Sequence, residues 1–150
     1  MHSHHQHSSS AGPWRVAAQA TLHCLTGCVI GEAIGLAIGV SLGLPAWQTI
    51  LLATILAYTS GMTLGLVPVM RSRGRGFLDA LRIIWIGEVV SIGVMEIAMN
   101  AVDYGMGGMS APSIFSWMFL RGLALAVPAG FLAAWPINYW LIRRDLKGCH

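Results

Sequence analysis

Residues 17–44 read AAQATLHCLTGCVIGEAIGLAIGVSLGL, a stretch in which apolar side chains and glycines outnumber the few polar ones. About 20 helical residues cross a hydrocarbon core about 30 Å thick, so this stretch is long enough to span a membrane with some tilt. It is longer than the apolar region of a cleavable signal peptide, and no convincing small-residue cleavage site accompanies it. We therefore predict a membrane helix that remains in the protein.

Three further apolar stretches of similar length follow, at residues 46–70, 78–102 and 114–142. The connections contain proline, glycine or arginine, and the last of them, residues 103–113, is predicted as a loop. The sequence thus predicts an all-α polytopic membrane protein in which residues 14–150 form one domain of four transmembrane helices. Residues 1–13 are polar and rich in histidine and serine, and we predict that they are disordered.

The composition argues against a soluble enzyme, because 55% of the residues are hydrophobic and only 10% are charged. The net charge of +3 does not indicate nucleic-acid binding, since the basic residues flank apolar stretches instead of forming one basic face. Lysine and arginine are enriched on the cytoplasmic side of membrane proteins. This rule predicts an inner-membrane protein with both termini in the cytoplasm, from eight flanking basic residues: Arg15, Arg71, Arg73, Arg75, Arg82, Arg143, Arg144 and Lys147.

Small residues recur at every fourth position in the first two helices. In the first helix they are glycines 27, 31, 35, 39 and 43, and in the second they are Ala53, Ala57, Gly61 and Gly65. Such stripes allow helix backbones to approach closely in lipid, where no hydrophobic force drives helices together. They predict a tight antiparallel hairpin, and an interface between copies of the chain in a homo-oligomer is an equally open interpretation.

Soft metal ligands lie near the predicted inner end of the first helix. Cys24 and Cys28 share one helix face beside His23, and Cys149 and His150 end the chain on the same side of the membrane. Two thiolates with an imidazole suit Cu(I) or a similar thiophilic ion, so these five residues are our predicted inner metal site. The alternative is that the cysteines pack as small buried residues.

Methionines extend the soft-ligand pattern along the third helix. Met95 and Met99 fall within about 40° of Glu88 on a helical wheel, and thioethers also select Cu(I). The predicted order along the axis is methionines towards the outside, carboxylates between, and thiols at the inner end. Methionine also fills irregular gaps in helix bundles, which is the structural alternative.

Charged residues inside the predicted helices are a second candidate site, because burying an ionisable group in a membrane is costly. Glu96 and Arg121 lie at similar depth, and we predict an ion pair between them. Glu32 and Glu88 have no cation at their depth in the sequence pattern. For these two, proton carriage, cation binding and neutral hydrogen-bonded carboxyls are the open possibilities.

Two segments carry a family resemblance: residues 23–32, HCLTGCVIGE, and residues 134–150, AWPINYWLIRRDLKGCH. They resemble an uncharacterised bacterial membrane family, domain-of-unknown-function family four-three-nine-six. The resemblance implies a small polytopic bacterial membrane domain and brings no activity or catalytic residue. The methionine and glycine spacings are also similar to those of copper-transport proteins of the Ctr type, which differ in the number and order of their helices.

The predicted function is binding or transport of a soft metal ion, Cu(I) before others, at the inner membrane. The chain contains no nucleotide-binding loop, dinucleotide fingerprint or nucleophile elbow, so we assign no catalytic residue. Two alternatives stay open: a membrane thiol oxidoreductase in which Cys24 and Cys28 form a reversible disulfide, and an accessory or assembly subunit of a larger membrane complex.

Overall fold

The computed structural model describes residues 12–74 and 76–147. Their backbone forms four long helices and one short 3-10 turn: α1 Pro13–Ser41, α2 Ala46–Arg73, α3 Phe77–Gly105, the turn Gly108–Ser110, and α4 Trp117–Arg143. The described residues contain no strand, which confirms the predicted all-α class. Helix α1 packs most extensively on α2, and α3 packs most extensively on α4.

Three helices in the described part of the chain are long and apolar enough to cross a membrane: α1, the portion Ala46–Val67 of α2, and α4. By length and composition, these helices identify the chain as a membrane protein. Helix α3 is as long as α1, at 29 residues, but it carries five charged residues. Most of these charges lie on the side of α3 that faces the other helices, as described below.

Two predicted boundaries are wrong, and each error has a local cause. Helix α1 begins at Pro13, inside the predicted tail, because proline at the first helical position is pre-organised for a helix and loses no needed donor. Helix α3 continues to Gly105, so Asp103 is helical and not in a loop. The remainder of the predicted tail, residues 1–11, lies outside the described residues.

Helix α4 continues through Pro128 and Pro136 without a break. Each proline removes one backbone donor, a defect that neighbouring helices tolerate in a packed membrane bundle. The ends of α1 and α4 meet in an aromatic cluster, in which Trp14 stacks on Tyr139 with ring centroids 3.9 Å apart. The indole N–H of Trp135 donates to the Trp14 carbonyl at 3.1 Å, which fixes the two helix ends together.

The glycine stripe of α1 lies against α2, which confirms the predicted hairpin. A Cβ atom added at Gly27 would lie 2.7 Å from the Cα atom of Gly61. One added at Gly31 would meet the Leu56 carbonyl group and lie 2.5 Å from the backbone nitrogen of Ala57. Since no real Cβ occupies such positions, the two backbones can approach this closely only through glycine.

We predict that Gly31→Ala destabilises the α1–α2 hairpin by about 1–3 kcal/mol, because the added methyl group forces the two backbones apart. The matched control is Gly105→Ala, where an added Cβ atom meets nothing within 4 Å. Thermal unfolding of the detergent-solubilised protein, followed by circular dichroism, measures both. Equal unfolding midpoints for the two variants would contradict the close approach of α1 to α2.

Candidate functional site

A buried ion pair occupies one end of the helix bundle. The Lys147 ammonium group lies 3.4 Å from Oε1 of Glu88, and the two side chains are only 3% and 9% exposed. The prediction that Glu88 has no cation at its depth is therefore wrong. The sequence pattern placed Lys147 in a flanking position after the last helix, whereas the chain folds back and carries it into the bundle.

The reversal after α4 is made by a helix C-terminal motif. Asp145 adopts a left-handed backbone conformation with φ of 53°, which is uncommon for a residue other than glycine. The Leu146 N–H donates to the Leu141 carbonyl at 3.0 Å, and the Asp145 N–H donates to the Ile142 carbonyl at 3.1 Å. These bonds form a Schellman motif, which ends the helix and redirects the chain towards α3.

Glycine on α3 makes room for the returning segment. A Cβ atom added at Gly87 would lie 2.5 Å from the Leu146 carbonyl oxygen and 3.1 Å from Cβ of Lys147. The segment thus lies directly on the α3 backbone, one residue before Glu88. This close approach brings the Lys147 ammonium group to the Glu88 carboxylate without exposing either group to lipid.

Hydrogen bonds extend the ion pair across three helices. The Lys147 ammonium group donates to Oδ1 of Asn138 at 2.9 Å, and Nδ2 of Asn138 donates to the Thr21 hydroxyl at 2.8 Å. The Thr21 hydroxyl in turn donates to the Ala17 carbonyl at 2.8 Å. Helices α1, α3 and α4 are therefore joined through one chain of buried polar groups, in which Lys147 contacts the Glu88 carboxyl group and the Asn138 side-chain oxygen.

The thiol of Cys24 belongs to the same network. Its Sγ atom donates to Oε2 of Glu88 at 3.6 Å and lies 3.8 Å from the Ser91 hydroxyl. Cys28, one turn further along α1, is completely buried, and both cysteines are free thiols. One carboxylate thus contacts the lysine through one oxygen and the thiol through the other.

Two methionines of α3 pack with these thiols. Met95 and Met99 are completely buried and belong to the same apolar cluster as Cys24 and Cys28. Gly130 of α4 accommodates them, because a Cβ atom there would lie 2.7 Å from Sδ of Met99. We call these four side chains the sulfur cluster. The sequence placed the thioethers apart from the thiols, but Met95 and Met99 face the bundle interior, against Gly130 of α4, in the same apolar cluster as the thiols.

The histidine of the predicted inner site does not join the thiols. His23 is exposed, and its Nε2 atom lies 3.0 Å from the Leu64 carbonyl oxygen of α2. Adjacent helical residues point about 100° apart, which directs His23 away from Cys24. Cys149 and His150 lie outside the described residues. Among residues 12–74 and 76–147, no three histidine, cysteine or acidic side chains are grouped so that they could hold a metal ion.

A second set of buried polar groups lies further along the bundle, with one member on α1 and three on α3. Glu32 and Asp103 are completely buried, Glu96 is 2% exposed, and Asn100 is 9% exposed. The Asn100 amide donates to Oε2 of Glu96 at 3.3 Å and to the Glu96 carbonyl at 2.9 Å. We call these four residues the acceptor cluster.

The predicted ion pair between Glu96 and Arg121 is wrong. Arg121 is exposed on the outside of α4, where its guanidinium donates to the Met106 carbonyl at 3.2 Å. Equal depth on neighbouring helices does not bring two side chains together when they lie on different faces. Glu96 faces the bundle interior, and Arg121 faces away from it.

Sequence reasoning missed six buried polar residues of the bundle interior. They are Thr21, Ser91, Asn100, Asp103, Asn138 and Lys147. A signal existed for Asn138, because an amide inside an apolar helix needs a hydrogen-bond partner. No sequence signal identified that partner as Lys147, since the reversal at Asp145 depends on a residue that rarely adopts this backbone conformation.

We predict that Lys147→Met destabilises the protein by about 3–5 kcal/mol, because it leaves the Glu88 carboxylate buried without its cation. Adding Glu88→Gln to this variant should recover part of the loss, since the double change removes the unpaired charge. Arg144→Met is the matched control, because Arg144 is exposed. Chemical unfolding in detergent measures all the variants, and strictly additive effects of the two single changes would contradict the pairing.

Comparisons with known proteins identify the family of the chain. No curated protein and no solved structure shows significant similarity to it. Residues 13–147 match the family model described as "Domain of unknown function (DUF4396)", a match that includes all four helices and the returning segment with Lys147. The chain belongs to this family, as the segments around Cys24 and Trp135 predicted.

Proposed function

We propose that this protein binds a soft metal ion, Cu(I) before others, at the sulfur cluster within the membrane. The observation that carries the proposal is that four sulfur-containing side chains, Cys24, Cys28, Met95 and Met99, belong to one buried apolar cluster in the interior of the bundle. Thiolate and thioether groups are the ligands that Cu(I) prefers, and no hard ligand is needed. Cys149 and His150 are additional predicted ligands.

The surroundings of the sulfur cluster favour a bound ion over an exchangeable disulfide. Both thiols are free and almost completely buried, at 3% exposure for Cys24 and 0% for Cys28. Redox-active cysteines normally lie in partly exposed positions that a partner thiol can reach. The Cys24 side chain is oriented by Glu88 and Ser91, an arrangement typical of the groups that hold metal ligands in place.

We predict that the Cys24→Ser/Cys28→Ser variant loses Cu(I) binding under reducing conditions, because a hydroxyl is a poor ligand for Cu(I). Met95→Leu/Met99→Leu should retain binding with an affinity about tenfold weaker, an estimate equal to about 1.4 kcal/mol. Competition with a coloured Cu(I) chelator measures these affinities on full-length protein purified without metal-affinity capture.

The matched control for this experiment is His23→Ala, since His23 is exposed and faces α2. It should bind Cu(I) as the wild type does. Equal binding by the wild type and the double cysteine variant would refute the proposed site. A reversible Cys24–Cys28 disulfide without bound metal would instead support the oxidoreductase alternative, and a stoichiometric partner without bound metal would support an accessory subunit.

We further propose that all four helices cross the inner membrane, with both termini in the cytoplasm. Helix α3 turns its acids inwards: Glu88, Glu96 and Asp103 are 7%, 2% and 0% exposed. Its outer surface presents apolar side chains such as Val89 and Ile97, which suit contact with lipid. The exposed arginines at the start of α1 and the end of α4 support the cytoplasmic orientation of that end.

Thiol labelling of intact cells tests this topology. A Ser113→Cys variant should react with a membrane-impermeant maleimide added outside, because residue 113 is exposed in the connection between α3 and α4. Cys149 should react only after the cells are opened, and Cys24 and Cys28 are too buried to interfere. Modification of Cys149 from outside intact cells would contradict the proposed orientation.

A further inference from the structure

The acceptor cluster lacks hydrogen-bond donors. Six buried side-chain atoms among the described residues have no hydrogen-bond partner: Oε1 and Oε2 of Glu32, Oε1 of Glu96, Oδ1 of Asn100, and Oδ1 and Oδ2 of Asp103. All six are oxygens that accept hydrogen bonds, and all six belong to the acceptor cluster. A buried group without a partner loses the hydration that it had in water. These six oxygens therefore require a hydrogen-bond donor or a positive charge.

Asn100 supplies a second observation, because its side-chain oxygen is also a buried acceptor without a partner. It is an amide, and its 9% exposure gives it little contact with the surroundings. Its Nδ2 atom is engaged by Glu96 and lies 3.5 Å from the Thr54 hydroxyl oxygen, whereas its Oδ1 atom has no partner. The orientation of the amide therefore leaves an acceptor free beside two carboxyl groups.

The cations of the neighbouring elements and the Tyr58 hydroxyl are bonded elsewhere. On α3, Glu96 and Asp103 act electrostatically on Glu32, and both are acids. On α2, the Tyr58 hydroxyl donates to the Val89 carbonyl at 3.0 Å. On α4, Arg121 donates to the Met106 carbonyl, and Lys147 is engaged by Glu88. No described side chain supplies the charge that would neutralise Glu32.

Close packing excludes a bulky ligand at the Asp103 end of the cluster. The Asp103 carboxyl oxygens lie against Gly108 of the 3-10 turn and Gly122 of α4, where an added Cβ atom would collide with them. Gly108 itself would lie 3.1 Å from a Cβ atom added at Gly122. A proton needs no additional space, whereas a metal ion needs several oxygen ligands around it, and no such grouping of acids occurs in the described residues.

We propose that Glu32 and Asp103 are proton-binding sites in the interior of the bundle, so that the protein takes up and releases protons at these carboxyls in addition to binding a metal ion. In the state described here, each carboxyl carries a proton. The O–H group then supplies the donor that the acceptor cluster lacks, and the acid is neutral where an unpaired carboxylate would be several kcal/mol less stable. The proposal does not depend on the metal site at the sulfur cluster.

Dicyclohexylcarbodiimide tests this assignment, because it reacts with protonated carboxyls in apolar surroundings. The carboxyl proton passes to a nitrogen of the reagent while the carboxyl oxygen bonds to its central carbon. Labelling of full-length protein in liposomes at neutral pH, with mass spectrometry of the peptides, should show an adduct on Glu32, whereas the close packing of Gly108 and Gly122 keeps the reagent from Asp103. Glu88 should stay unlabelled, because the Lys147 ammonium group lies 3.4 Å from its carboxyl oxygen, and so should the exposed Asp79.

The pH dependence separates proton binding from the binding of another cation. Above its midpoint, the Glu32 adduct should fall about tenfold for each pH unit, as expected for a group that must be protonated to react. Infrared spectra in liposomes should show a protonated-carboxyl band that is smaller in Glu32→Gln and in Asp103→Asn and unchanged in Asp79→Asn. The wild-type labelling needs no variant, so it remains decisive if Glu32→Gln fails to fold.

Two results would overturn the proposal. One is the absence of both a Glu32 adduct and a protonated-carboxyl band at neutral pH, which would mean that the carboxyl is ionised. The other is protection of Glu32 by sodium chloride, but not by choline chloride, at constant pH, which would assign the site to a sodium ion.

Discussion

The ion pair between Glu88 and Lys147 is the interaction on which the arrangement of this protein depends. The Glu88 side chain is only 9% exposed, and a buried carboxylate without a cation is costly. The chain supplies the cation from the segment that follows α4, and the same lysine binds Asn138 and, through it, Thr21. Closing one pair therefore fixes α1, α3 and α4 relative to one another.

The glycines determine which helices can take part in this arrangement. On α1, the glycine stripe is used by α2, so that the thiols on an adjacent face are left to contact α3. On α3, Gly87 admits the returning segment, and on α4, Gly130 admits the two methionines. The sulfur cluster and the ion pair are thus neighbours because small residues remove the steric barriers between three backbones.

Much of the fold was predictable from sequence, because it depends on patterns that are local or regular. Four long apolar stretches predict four helices, and the stripes starting at Gly27 and Ala53 predict the α1–α2 hairpin, both of which the structure confirms. Helix ends were less predictable, as at Pro13 and Asp103, since the sequence favoured a loop where packing extends the helix. The pairing of Lys147 was not predictable, because it requires a reversal at Asp145 that sequence preferences oppose.

Within the candidate site, prediction succeeded where residues share a helix face and failed where two helices must be placed in register. Cys24 and Cys28 lie together as expected, and Met95 joins their apolar cluster because its face of α3 is turned into the bundle. Arg121 and Glu96 lie at similar depth but on helix faces that point in different directions. Counting residues along a helix predicts the depth and does not predict which neighbour a face meets. The charges on α3 therefore divide into two kinds that the sequence does not distinguish. Glu88 has a cation delivered by the fold, whereas none of the described side chains supplies one to Asp103 or to the facing Glu32. A single helix thus presents a carboxyl group paired with a lysine beside the thiols and donor-poor carboxyls beyond the methionines. This contrast follows from the path of the returning segment, which places the Lys147 ammonium group at Glu88.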